Sequence, residues 1–205
     1  MKKIKTSALL ITAVIAVISA TGCSNTTKTT SSTSESSAYV YADDPEVGQN
    51  TVDVELNEDT QVNDTVFKLN GVIDSGRVKD GLKYIYLDVS ITNESDTDYE
   101  LNGLNNFYLL LDTGVEIHTD VRADLYAKQA LTGYEALLTV PAHSEYNNYV
   151  GFCLDESIDS FTVGFFPTET TDDKSNVVLC EIKPEDIQAA PDGMFVDIDS
   201  TTEAE

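Results

Sequence analysis

From Lys83 to Asn93 the chain reads Lys-Tyr-Ile-Tyr-Leu-Asp-Val-Ser-Ile-Thr-Asn, its clearest run of strand-like alternation. Ile85, Leu87, Val89 and Ile91 fall on one face, and Tyr84, Tyr86, Asp88, Ser90 and Thr92 fall on the other, the period of a strand with one face buried. Asn93 to Asp98 then supplies a polar turn. An apolar strand face needs neighbouring strands and a second sheet to cover it, so the stretch predicts an all-β, antiparallel sandwich rather than a helical protein.

Eight further segments follow the same rhythm: Val52 to Leu56, Thr65 to Ile73, Phe107 to Asp112, Glu116 to Thr119, Ala136 to Val140, Tyr146 to Leu154, Ser160 to Pro167 and Val177 to Ile182. Turn signals divide them at Asp80-Gly81, Asp112-Thr113-Gly114, Pro141-Ala142 and the polar stretch 169–176. Only Val121 to Leu131 has helix-like spacing, and it predicts one short helical crossing. Lys183 to Gln188 reads as a helical turn opened by Pro184, and Met194 to Ile198 as an added strand before a fraying end.

The first 22 residues have the pattern of an export signal. Lys2, Lys3 and Lys5 precede an apolar run from Ala8 to Ile18 that is short for a membrane span. The run leads into Ala20-Thr21-Gly22-Cys23, which resembles the bacterial lipobox and implies a mature chain beginning at a lipidated Cys23. Residues 24–37 hold six Ser and five Thr. With residues 38–50 they form a tether whose root-mean-square reach is roughly 25 to 30 Å. The expected organisation is therefore a signal peptide over 1–22, anchor and tether over 23–50, a sandwich over 51–190 and an acidic tail over 191–205. The expected location is the extracellular face of a lipid-anchored cell membrane.

Charge narrows the partners. The 12 basic residues face 36 acidic ones, and removing the signal takes three lysines and no acid, leaving a net charge of about −27. Nucleic acid is excluded, and anionic headgroups are repelled, so the lipid must supply the membrane attachment. An envelope protein, a peptide or a glycan remains as a partner class.

Two cysteines remain after Cys23. Cys153 lies opposite in parity to Phe152 and Leu154, whereas Cys180 shares parity with Val178 and Ile182. A disulfide between neighbouring strands needs both side chains on one face, so a Cys153–Cys180 bond and a pair of buried free thiols both stay open.

The chain as a series then resembles a known family. Tyr84 to Ser95, Phe107 to Leu111 with Asp112 and Gly114, Leu137 to Pro141, and Val150-Gly151-Phe152 look like the immunoglobulin-like domain of unknown function found in Gram-positive lipoproteins. That family is similar in fold to a small secreted mycobacterial antigen. The resemblance covers residues 50–182 and departs at Ala142, where the family usually has glycine. It implies a fold and no catalytic residues.

Few chemical motifs stand out. His118 and His143 have no metal-ligand spacing and are expected to be solvated, and no nucleophile elbow, phosphate loop or Cys-x-x-Cys occurs. No cofactor or metal is expected. The loop acids Asp96, Asp98, Asp172, Asp173, Asp192, Asp197 and Asp199 have calcium-like oxygen chemistry without EF-hand spacing. Asn25, Asn63 and Asn93 head glycosylation patterns that carry no weight in a bacterial chain. Tyr84, Tyr86 and Tyr149 fall on outward strand faces, near Tyr146, and are expected to form either an exposed binding patch or ordinary cross-strand pairs. The expected function is non-catalytic binding at the envelope. A structural surface antigen and an envelope hydrolase are the alternatives.

Overall fold

The computed structural model describes residues 47–135, 137–167 and 174–198. The expected export signal, Cys23, the expected tether up to residue 46, Asp172, Asp173 and Asp199 lie outside them, and the expected tether's last residue, Asn50, opens a strand. The elements in chain order are β1 (Asn50–Val54), β2 (Thr60–Val62), β3 (Thr65–Lys79), β4 (Leu82–Asn93), β5 (Tyr99–Asn102), α1 (Gly103–Asn106), β6 (Phe107–Leu110), β7 (Glu116–His118), α2 (Val121–Ala130), β8 (Leu137–Val140), β9 (Ser144–Asp155), β10 (Phe161–Phe165), β11 (Asn176–Ile182) and β12 (Ile187–Ala189).

Two sheets make the sandwich. Sheet I has the order β1-β11-β10-β6-β7, and sheet II the order β12-β3-β4-β9, with β2 also on β3. A separate ribbon pairs β5 with β8. Strands β3, β4 and β9 are antiparallel, whereas β1 runs parallel to β11 and β12 parallel to β3. The expected all-β sandwich is what the chain forms, with these two parallel pairings at the edges of its antiparallel sheets.

The core follows the alternation of β4. Ile85, Leu87, Val89 and Ile91 are buried together with Phe67 and Leu69 of β3, Phe152 of β9, and Phe107, Val163, Phe165 and Cys180 of sheet I. The Phe67 and Phe165 rings stack at 4.4 Å, and Phe107 lies 4.8 Å from Phe165. Close packing of large rings excludes water from the space between the sheets.

Helix α2 starts at Asp120, whose carboxylate accepts a 2.8 Å bond from the Arg122 amide, and its Ala123, Ala127 and Ala130 are buried. These small side chains let the helix lie flat on the outer face of sheet II. Gly151 of β9 completes the fit, because a Cβ there would stand 2.9 Å from both the Ala123 Cβ and the Tyr86 ring.

The C-terminal end departs from expectation in two places. After the 3-10 turn Pro184–Asp186 the chain forms β12. Residues 194–198 are not a strand; they form a strap in which the Val196 amide donates to the Ala130 carbonyl, and Phe195 stacks on Tyr126 at 5.6 Å. The folded domain therefore runs past residue 190, and the strap's contacts cap α2.

Candidate functional site

The outer face of sheet II is divided in two. At one end lie Tyr84, Tyr86, Gly151 and Cys153; at the other lie Lys68, Asn70, Asp88, Ser90, Thr92, Glu145 and Asn147.

The tyrosine end is covered. Tyr84 is 4% exposed and Tyr86 fully buried, packed with Ala123, Ala127, Leu131 and Cys153 beneath α2 and the strap. Arg77 lies 4.7 Å from the Tyr126 ring centroid and 5.9 Å from that of Tyr84. Of the two readings left open for these tyrosines, the exposed patch is excluded for Tyr84 and Tyr86, which belong to a second core. Alternation reports which face a side chain takes, and a helix from elsewhere in the chain decides whether that face is wet. Tyr149, opposite Asp88, stays half-buried at the border between the two ends.

The polar end is open and built around a bulge. Between Leu69 and Gly71 the register of β3 against β4 shifts, so that Asn70 and Gly71 together oppose Asp88. A bulge bends its strand and re-aims a side chain. Here Asn70 Nδ2 donates to Asp88 Oδ1 at 3.2 Å and to Ser90 Oγ at 2.8 Å. Ser90 in turn donates to Asn147 Oδ1, and Asn147 Nδ2 donates to Glu145 Oε1 at 3.2 Å. The relay crosses all three strands. Beside it Lys68 pairs with Asp59 at 3.2 Å. Lys68, Asn70, Ser90, Thr92, Glu145 and Asp59, with Val66, enclose a recess of about 190 Å³.

Sheet I carries a second concavity. A groove of about 750 Å³ beside edge strand β1 is lined by Asp53, Glu55, Asp112, Glu181 and Asp186, with Lys183 the cation among them. Among the described residues no three His, Cys, Asp or Glu side chains are placed to hold a metal ion together.

The remaining sequence candidates are dispersed. His143, exposed at 63%, meets Asp96 at 3.0 Å, and Asp98 accepts from the Ala142 amide at 2.8 Å; these acids hold the turn before β9. His143 has a φ of 55°, so the left-handed position of this turn falls one residue after Ala142. The flanking Ser144 hydroxyl donates to the Pro141 carbonyl, and that of Ser95 donates to Asn93 Oδ1. His118 is partly buried, 4.0 Å from Glu116, rather than fully solvated. Asp192, in the turn before the strap, and Asp197, within it, are both exposed.

The two thiols are free. Cys153 is buried under α2 on the outer face of sheet II, and Cys180 is buried between the sheets. The disulfide is ruled out because the two side chains belong to different cores. Burial pushes each thiol up to about 11.

Residues 54–174 match the family model described as a domain of unknown function, DUF4352. The chain belongs to the DUF4352 family. The match takes in β2 through β10, and so all of the bulge, the relay and the recess. Solved structures with a similar outline include a Bacillus subtilis candidate lipoprotein, ycdA, at 14% identity and TM-score 0.46, covering 62% of this chain and 39% of that one. An uncharacterised β-sandwich protein from Clostridium difficile matches at 10% identity and TM-score 0.43, covering 65% and 95%. A secreted protein of Mycobacterium tuberculosis, MPT63, matches at 10% and 0.39, covering 63% and 97%. This DUF4352 chain thus spans about two fifths of the Bacillus protein's length. No functionally curated protein matches it.

The relay was half legible beforehand. Ser90, Asp88 and Thr92 alternate outward in β4, and Glu145 and Asn147 of β9 stand opposite Thr92 and Ser90 on the same face. Asn70 carries no such signal, because its orientation depends on a bulge that only pairing creates.

Proposed function

We propose that this chain is a lipid-anchored protein of the bacterial cell surface whose sandwich is a non-catalytic binding module. Its contact surface is the open half of sheet II. The reading rests on one observation: α2 and the strap seal the apolar end of that face, while a side-chain relay pre-orders the polar end left open to solvent. Ordering donors and acceptors before a partner arrives lowers the entropy lost on contact. The sequence of residues 1–23 supports the anchor, and the net acidic charge supports a partner that is neither nucleic acid nor anionic lipid.

A photoreactive residue at Asn147, with a matching one at Asp53 on sheet I, tests the surface in intact cells. A discrete adduct from position 147 and none from 53 is expected, lost when Cys23→Ala releases the chain from the membrane. Identical background labelling at both positions would replace this reading with that of a surface-covering antigen.

A further inference from the structure

The recess on sheet II has a size and chemistry that select among ligand classes. At about 190 Å³ it is smaller than the roughly 300 Å³ at which pockets begin to enclose drug-sized molecules, so it admits one ring-sized group. Its single apolar lining residue is Val66. A protein partner anchored by a buried aromatic or aliphatic side chain would find no apolar pocket here. Lys68 is set against Asp59, Glu145 and the neighbouring Asp88, a balance that disfavours phosphate and carboxylate ligands.

What the recess offers is a dense mixture of donors and acceptors. Asn70 spends its amide hydrogens on Asp88 and Ser90, which turns its carbonyl oxygen into the group left for a ligand. Asn147 uses its carbonyl for Ser90 and directs its amide toward Glu145, so a second amide hydrogen remains. The hydroxyl of Thr92, the ammonium of Lys68 and the carboxylate of Glu145 complete the rim. Such alternation suits neighbouring hydroxyls, each of which donates once and accepts. One step along the outer row of β9 stands Tyr149, half-buried, beside Asp88. Its ring provides an apolar platform for the flat face of a pyranose. The bulge at Asn70 serves the same end, since without it the residue opposite Asp88 would be a single one and the relay would lack its first donor.

We infer that the recess bounded by Asn70, Ser90, Thr92 and Glu145 binds one neutral sugar residue of an envelope glycan, with Tyr149 stacking on the next. This rests on the reading of sheet II as the contact surface and adds the class of ligand. Asn70, Ser90 and Thr92 set the orientation of the sugar.

The test is titration of the soluble mature chain, with Cys23→Ala, by the hexasaccharides of glucose and of N-acetylglucosamine, followed through backbone and side-chain amide resonances. Shifts confined to Asn70, Asn147 and the amides around Tyr149 are expected. At least tenfold weaker binding is expected in Asn70→Ala and in Tyr149→Ala, with the amide spectrum of sheet I unchanged in both; because the half-buried Tyr149 ring packs against the tyrosine core, Tyr149→Ala also lowers Tm modestly. Glu55→Gln in the groove on sheet I should bind like the parent. No shift at millimolar concentrations of either oligosaccharide, or shifts centred elsewhere, would overturn the inference. If position 147 still captures a protein in cells, the sugar assignment alone falls; if it captures nothing specific, the contact surface falls with it.

Discussion

The hydroxyl of Tyr86 donates a 2.8 Å hydrogen bond to the main-chain carbonyl oxygen of Ala123, tying the central strand of sheet II to the helix laid across it. Both residues are fully buried. Burial also raises the pKa of this phenol far above its ordinary value, so the hydroxyl keeps the proton it donates at neutral pH. Tyr86→Phe keeps the ring and removes the bond, leaving the Ala123 carbonyl without that donor. A loss of about 1 to 2 kcal/mol is expected, read as a fall in Tm of about 3 to 8 °C. An unchanged Tm would mean that ring packing alone seats α2.

The strap beyond β12 is a structural part of the domain. Phe195 lies 5.1 Å from the Tyr86 ring and 5.6 Å from that of Tyr126. A chain ending at Ala190 should lose about 1 to 2 kcal/mol of stability, the share expected of one partly buried aromatic ring. Tyrosine fluorescence should become more accessible to acrylamide in the shortened chain. A tail that merely frays would change neither quantity.

Asn93 closes β4 by satisfying its whole side chain. Its amide donates to the carbonyl oxygens of Thr97 at 2.7 Å and Val140 at 3.0 Å, while its own oxygen accepts from the Ser95 amide and hydroxyl at 3.0 and 2.7 Å. One residue thus shapes the turn and pins β8. Asn93→Ala should cost about 2 to 4 kcal/mol, because the buried Val140 carbonyl loses this donor and the Ser95 turn loses its acceptor. Asn93→Asp keeps the acceptor half and sets a carboxylate against two carbonyl oxygens, so it should rescue little at neutral pH. Chemical denaturation of the two variants checks both statements; full rescue by Asp would show that only the Ser95 bonds matter.

Alternation along β4 was enough to read the fold class, because Ile85, Leu87, Val89 and Ile91 do face the space between the sheets. The same alternation left open whether Tyr84 and Tyr86 form an exposed patch. Their cover comes from Ala123, Ala127 and the strap, which are distant in sequence, and its trace there is a small-residue spacing in α2 with Gly151 across from it. Strands β2 and β12 are three residues each and owe their form to β3, so no local pattern announces them. The relay was legible in its β4 members and hidden in Asn70, since a bulge is a property of two paired strands.

The thiols offer the sharpest link between sequence parity and a measurement. Cys153 and Cys180 face different cores, and burial pushes each up to about 11 from a usual value near 9. A thiol whose pKa is raised on folding favours the folded state fully while both states hold the proton, below about pH 9. Above that the unfolded chain releases its protons while the folded chain keeps them. Stability must then fall as pH rises from about 9 toward 11, and flatten once the folded thiols also ionise. Cys153→Ala and Cys180→Ala should each make the decline shallower over that window, and the double variant should flatten it most, apart from tyrosine ionisation. The same burial predicts that iodoacetamide at pH 8 leaves both residues unmodified in the native domain and labels both in denaturant without reductant. Labelling that required reductant would mean the two sulfurs are bonded, and the packing of Cys153 beneath α2 would then have to be redrawn.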